Sequence, residues 1–467
     1  DLDGLDHPCG WTAGLNRRIR AGAFPKRMPH WRGEDLNAPL NSREIEPFPW
    51  QGERMKYQLK CLKTNQLLND EYTLHHADNA LLQSVYHQPL EVQDVEGMWQ
   101  FEDWLPVSQA NELVAGTLTY KAEALGEALG LSNLWVTFHG YWPEKGGLCP
   151  TGSFKDLEAV PTIQRLRDHG ITGVICASAG NTARAFAHYC GLTDTPLIVI
   201  VGEEHAQRLW LRKDHPSESV RLVVLKGGDY ADAKGVAKRL AQRLDEWVLE
   251  GGVHNVARRD GMGSLMLDAA FTIGQLPDHY FQGIGGGPGP IGTHEMATRL
   301  VDEGVFDGPV PRQHVSQNVE HSPIHNAWQA GRDHLVDEDF PDEEVDVYSD
   351  LLLNAAPAYG QTGGVHDILD DSDGQTYVVE QPVAEAAKSL FEATEGIDIL
   401  PPGAIALASL QEAIEVGEVE EEDCVVLNIS GGGTQRLKQD LDTEAVQPWL
   451  MVEASQAVEI ILGRLSA

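Results

Sequence analysis

Basic residues are scarce in this chain. Against 71 aspartates and glutamates stand 35 lysines and arginines, a formal net charge of −36 over 467 residues. A surface this negative repels phosphate backbones and anionic lipid, which argues against a nucleic acid or a membrane as partner. It suits a salt-rich cytoplasm, where counter-ions screen the self-repulsion. Cysteine is scarce too: Cys9, Cys61, Cys149, Cys176, Cys190 and Cys424 form no Cys-x-x-Cys motif and no framework of paired spacings. No disulfide scaffold is expected, and a reducing compartment is. No apolar run approaches the roughly 18 to 20 residues of a bilayer-spanning helix, and no charged-then-apolar leader opens the chain. A soluble cytoplasmic protein is the expectation. What remains is an ordinary globular composition, 42% hydrophobic and 23% charged, in a chain long enough for two or three domains at roughly 100 to 200 residues each.

Three stretches carry chemistry. Pro150 to Glu158 reads Pro-Thr-Gly-Ser-Phe-Lys-Asp-Leu-Glu, a turn that opens a helix on Lys155. Apolar neighbours and the positive end of a helix both lower a lysine's pKa, leaving the free amine that condenses with a carbonyl. A solvated lysine at a helix start is the alternative. Further on, the apolar run Gly173 to Cys176 meets Ala-Ser-Ala-Gly-Asn-Thr at 177–182, then a helical pattern. The free amides of that helix point into the turn. Tyr280 to Ile284 likewise runs into Gly285-Gly286-Gly287-Pro288-Gly289-Pro290 before another helix, a second anion cradle that alone would equally serve a dinucleotide. Lysine, asparagine turn and phosphate loop together suit a phosphorylated aldehyde, and pyridoxal phosphate fits each.

These motifs resemble the fold-type II pyridoxal phosphate enzymes, the family of threonine synthase, cysteine synthase and the tryptophan synthase β chain. Within it the chain is most similar to the archaeal cysteate synthases. The likeness rests on Gly140 to Gly146 (Gly-Tyr-Trp-Pro-Glu-Lys-Gly), Ser153-Phe154-Lys155, the 177–182 turn and Asn255 to Gly263 (Asn-Val-Ala-Arg-Arg-Asp-Gly-Met-Gly). Pro277 to Gln282, Glu395 to Pro402 and Asn428 to Gly433 (Asn-Ile-Ser-Gly-Gly-Gly) extend it. It runs from about Met55 to about Leu437. The implied fold is α/β, with two doubly wound domains and the cofactor between them.

The resemblance implies roles. Lys155 anchors the cofactor and shuttles the α-proton. Asn181 bonds the cofactor's 3′ oxygen, and Gly285, Gly286, Gly287 and Gly289 cradle its 5′-phosphate, although Pro288 and Pro290 bring no amides. Ser430 faces the ring nitrogen; a hydroxyl there leaves that nitrogen largely unprotonated and favours β-elimination and replacement. Ser178, Ala179, Gly180 and Thr182 grip the substrate carboxylate. Arg258 and Arg259 match a phosphate-binding stretch, and Arg184 and His188 are spaced to share a helix face, guanidinium forks being suited to phosphate and sulfite. Relatives often carry a Cys-x-x-Cys knob near the start, but here Cys61 is followed by Thr64, so no metal is expected.

Residues 1–54, rich in Arg, Pro, Gly and Trp without a helix or strand period, are expected to be a disordered or non-native extension. Residues 55–159 should begin the large domain, 160–250 form a smaller mobile one, and 251–467 complete the large one. An acidic insertion at 336–345 is expected at the surface. The implied reaction is β-replacement on O-phospho-L-serine, phosphate leaving and sulfite entering to give L-cysteate, in a homo-oligomer. Threonine synthase or O-phosphoserine sulfhydrylase activity is the alternative, and the 140–146 insertion and the 428–433 run argue for cysteate. A dinucleotide oxidoreductase would use Asp302 or Glu303 for a ribose but leaves Lys155 unexplained. A silent binding protein is disfavoured because each cofactor contact is present.

Overall fold

Where aliphatic runs such as Leu-Ile-Val-Ile-Val alternate with helical patterns, both faces of a sheet must be covered, and the strands lie parallel. The computed structural model obeys this. It describes residues 55–343 and 345–466, all within the unit Pro49–Ala467; the expectation for residues 1–54 lies outside the described residues.

A small antiparallel sheet opens the described chain: β1 (Tyr57–Cys61), β2 (Leu67–Leu68) and β3 (Leu82–Tyr86). Then come β4 (Leu118–Lys121), α1 (Glu123–Leu129), β5 (Leu134–Gly140), α2 (Lys155–Asp168), β6 (Gly173–Cys176), α3 (Asn181–Leu192) and β7 (Leu197–Gly202). They are followed by β8 (Trp210–Arg212), β9 (Val220–Lys226), α4 (Tyr230–Ala241), β10 (Trp247–Leu249), α5 (Val256–Ile273), β11 (His279–Gly283) and α6 (Pro288–Asp302). After β12 (Arg312–Asn318) come α7 (Pro323–Gln329), α8 (Val365–Asp371), β13 (Gln375–Val379), α9 (Gln381–Glu395) and α10 (Pro401–Glu415). The chain ends with β14 (Val425–Gly432), α11 (Thr434–Asp440), β15 (Thr443–Ala445), β16 (Pro448–Glu453) and α12 (Ala457–Leu465).

Two sheets dominate. One has six strands in the order β13-β12-β11-β14-β5-β4, parallel except for edge strand β4. The other has five parallel strands, β10-β6-β7-β9-β16. This is the α/β architecture expected, with differences at its edges. Trp247 opens the edge strand β10. Pro448–Glu453 pairs with Val220–Lys226 in the second sheet, so that strand leaves the block 251–467. Of the acidic insertion, Asp339 is buried, ion-paired to Arg332 at 2.5 Å. The 140–146 segment is partly internal: Trp142 is buried edge-on to Phe138 and Tyr120, and Lys145 lies 4.2 Å above the Tyr120 ring.

Close helix contacts position the groups around Lys155. Helix α2 runs unbroken through Pro161, although proline cannot donate to the carbonyl of Leu157. Gly261 of α5 packs against that carbonyl and against the Pro161 ring, where a Cβ would collide with both. On another side of α5, a Cβ on Gly263 would lie 2.5 Å from Gly292 O of α6. The glycines let three helices approach, which brings Arg258 up to α2.

Candidate active site

The lysine turn is stitched to the end of β14. Phe154 N donates to Ser430 O at 3.0 Å, Gly432 N donates to Gly152 O at 3.1 Å, and Ser153 bridges Gly431. Gly152 turns at φ +82, a conformation open to glycine. Ser430 is thus held beside the residue before Lys155. The Lys155 side chain, 18% exposed, places Nζ 2.5 Å from Glu158 Oε1, 4.0 Å from Met262 Sδ and 4.3 Å from the Phe154 ring centroid. Burial lowers the amine's pKa; Glu158 opposes that and Arg258 adds to it. Asp156, fully buried, accepts from Thr151 N at 3.0 Å and from the Thr151 hydroxyl, and burial pushes its carboxyl up to about 7.

The asparagine turn reaches the lysine turn through Arg184. Its Nη2 donates to Asn181 Oδ1 at 2.7 Å, its Nε to Thr151 O at 2.9 Å, and its guanidinium stacks 4.5 Å from the Trp210 ring centroid. With Oδ1 taken, Asn181 has its NH2 group to offer. Burial lowers the Arg184 pKa to about 10, so it stays cationic at neutral pH. In the same turn Gly180 N donates to Ser178 Oγ at 3.3 Å, Ala179 is half-buried, and Thr182 sits in the first turn of α3. His188, by contrast, stacks on His215 with centroids 4.5 Å apart, and burial lowers its pKa to about 3.

The glycine loop lies between β11 and α6. Among the described residues, the amides of Gly285, Gly286 and Gly287 donate to no carbonyl or side chain, and Gly287 has φ +91. Cβ atoms on Gly285 and Gly286 would lie 2.9 Å from Leu352 O and 2.7 Å from Asn354 Nδ2, and one on Gly289 would strike Gln282. The wall they meet is a strap, 349–354, fixed by Asn318 through reciprocal bonds of 2.9 and 3.0 Å to Ser349. Leu351 of the same strap stands 3.6 Å from where a Cβ on Gly180 would be. One strap therefore touches both anion cradles.

Residues 113–431 match the family described as pyridoxal-phosphate dependent enzyme. Cysteate synthase of Methanosarcina mazei is 45% identical over 408 residues, spanning 86% of this chain and 98% of that protein. The cysteate synthase of Methanosarcina barkeri is 46% identical over 399 residues, 84% of this chain and 95% of that one. The chain belongs to the cysteate synthase family of pyridoxal-phosphate-dependent enzymes. Its fold is shared by maize serine racemase, with a TM-score of 0.54 at 17% identity over 69% of this chain and 91% of the racemase.

The chemistry of a cysteate synthase requires that its residues accept pyridoxal phosphate, and they do. A half-buried amine follows a residue bonded to the backbone of Ser430 on β14, and a glycine loop whose walls leave no room for Cβ atoms presents free amides at a helix amino end, which would suit a phosphate dianion. These amides precede Pro288, so the two prolines remove none of them.

The expected arginines divide. Arg184 belongs to the assembled site. Arg259 does not: fully buried in α5, it pairs with Glu295 at 3.3 Å and donates to Val253 O and Leu82 O, which makes it a structural tie to α6 and β3. Arg258 faces the site, but its terminal nitrogens are clamped by Glu158 and Glu250, and its buried Nε alone has no partner. Glu158, Glu250 and the 349–354 strap were not anticipated. For Glu158 a signal existed: an acidic residue three positions after Lys155 shares its helix face. For the strap no motif existed.

Proposed function

We propose that this enzyme forms L-cysteate from O-phospho-L-serine, with Lys155 as the residue that holds the cofactor. The β-carbon loses its bond to phosphate oxygen and gains one to the sulfur of sulfite. The observation that carries this reading is the half-buried Lys155 amine on a turn whose preceding residue, Phe154, is stitched to the backbone of Ser430, in a chain 45% identical to a cysteate synthase over 98% of the latter's length.

When bound, pyridoxal phosphate withdraws electrons from the substrate's α-carbon, which acidifies the α-proton and lets a β-phosphate depart. The chain's own groups do the rest. Lys155 Nζ, its basicity lowered by burial, takes the α-proton and returns it to the product. Gly285, Gly286, Gly287 and Gly289 offer amides to the 5′-phosphate, aided by the positive end of α6. Asn181, its oxygen held by Arg184, gives its NH2 to the 3′ oxygen. Ser430 leaves the ring nitrogen uncharged. Ser178, Ala179, Gly180 and Thr182 hold the substrate carboxylate at the amino end of α3. Arg184, with two donors spent on Thr151 and Asn181, has remaining guanidinium donors for the departing phosphate or the entering sulfite. The unpartnered Nε of Arg258 is a second, weaker candidate. The five-stranded sheet that carries the asparagine turn is the smaller, mobile part in this reading.

The test is phosphate release from O-phosphoserine by the holoenzyme with sulfite, with sulfide and with neither, at low and high salt. Cysteate formed with sulfite supports the reading. Inert phosphoserine beside active phosphohomoserine would transfer the assignment to threonine synthase chemistry, and cysteine from sulfide in place of cysteate would transfer it to a sulfhydrylase.

A further inference from the structure

Two cations and two anions are packed together at the head of α2. Glu158, whose side chain is 0% exposed, accepts from Lys155 Nζ at 2.5 Å through one oxygen and from Arg258 Nη2 through the other. Arg258, 6% exposed, gives Nη1 to Glu250. The order is Lys155, Glu158, Arg258, Glu250, with charges that cancel. Three different elements supply it: α2 gives the first pair, α5 the arginine, and the turn after β10 the last carboxylate. The contact of Gly261 with the Leu157 carbonyl lets α5 come close enough for Arg258 to reach α2.

Such a cluster is costly to assemble, because each charge gives up water and is compensated by its neighbours alone. Its position explains it. An amine that must be neutral to bond carbon and cationic after taking a proton requires a carboxylate partner of moderated strength. A carboxylate devoted to the lysine would hold it as ammonium; a carboxylate shared with an arginine holds it less firmly.

Resting on the reading of Lys155 as the anchor, we propose that Glu158 is a positioning residue for Lys155. It fixes Nζ and favours its cationic form, while Arg258, held from behind by Glu250, moderates that pull. Other titratable groups facing the cluster are Tyr72, Cys176 at the end of β6 and Tyr230 at the head of α4, which burial keeps neutral near pH 7. A further one is Asp156 of α2, which interacts with Glu158 and whose carboxyl burial pushes up to about 7, so that it titrates in the same range and is common to every variant below. Arg258 is thereby assigned to tuning the lysine through its terminal nitrogens, and Arg184 remains the first candidate for binding oxyanions.

The experiment is a pH titration of the holoenzyme's near-visible absorbance band that depends on Lys155. Glu158→Gln should lower its apparent pKa by about one unit or more, the size expected for losing an adjacent opposite charge. Glu158→Asp should restore part of the shift. Glu250→Gln should lower it less, and Arg258→Met should raise it. Opposite signs at Glu158 and Arg258 separate tuning from a structural role, which would move both the same way. If Glu158→Gln does not fold, the signs at Glu250 and Arg258 still decide. A Glu158→Gln enzyme that titrates like wild type, or Arg258→Met shifting downward, overturns the proposal. A wild-type band that survives in Lys155→Ala would instead sink the anchor reading.

Discussion

Arg258 and Arg259 are adjacent in sequence, yet an α-helix turns about 100° per residue, so they address different neighbours. Arg258 meets the carboxylates beside Lys155; Arg259 is locked to Glu295 and two carbonyls. Arg259→Met should therefore cost about 3 kcal/mol or more, because Glu295 is left buried without its partner, while kcat/KM per folded molecule stays near wild type. Denaturant unfolding and active-site-normalised rates check both halves. Full stability with lost activity would return Arg259 to the substrate. At Arg184 the expectation reverses. Lysine there keeps a charge but loses the fork that spans Thr151 and Asn181, so Arg184→Lys should raise the KM for phosphoserine roughly tenfold and leave the unfolding midpoint within a few degrees.

Among elements, the contact of α2 with α5 depends on one hydrogen atom. A methyl on Gly261 would strike Leu157 O and the Pro161 ring, and backbone cannot yield as a flexible side chain can. Gly261→Ala should destabilise by about 1–3 kcal/mol or more and, by moving Arg258 away from Glu158, shift the Lys155 titration as well. Equal stability and an unshifted titration would show that the helices part freely. This element also shows what a sequence can and cannot tell. Lys155 in its turn, the asparagine turn and the glycine loop were legible, because each is local: a strand end, a few small residues and a helix start. The lysine helix continuing through Pro161 was not, since the carbonyl that proline leaves free is covered by a glycine a hundred residues on. Ser349–Asn354 was illegible for a similar reason, its role being to touch two loops distant in sequence through backbone and a leucine. Strand β16 reads as any short apolar run, and its sheet is chosen by tertiary packing alone.

For the molecule as a whole, charge and buried histidine set how stability depends on solvent. Burial lowers the pKa of His139 to about 4, below the ordinary value near 6.5. Its neutral form is kept by the fold, so the associated stability is fully present above about pH 6.5 and is lost as pH falls toward 4, at about 1.4 kcal/mol per unit. His254, depressed to about 4, and His188, to about 3, act in the same direction. Urea unfolding between pH 7.5 and 5 should show this loss; a flat profile would mean that these rings are solvated. Salt acts on the other term. A formal charge of −36, with exposed carboxylates clustered as at Glu420, Glu421 and Glu422, makes the folded state repel itself more than the expanded chain does. Raising ionic strength from 0.1 to 1 M shortens the screening length from about 10 to about 3 Å. The Tm at pH 7.5 should then climb by about 5 °C or more between 0.1 and 2 M potassium chloride. A neutral osmolyte at matched osmolality should reproduce less of that rise, since it strengthens burial without screening charge. Equal gains from both would locate the stabilisation in the core, and no gain from salt would mean that the acidic surface costs the fold nothing.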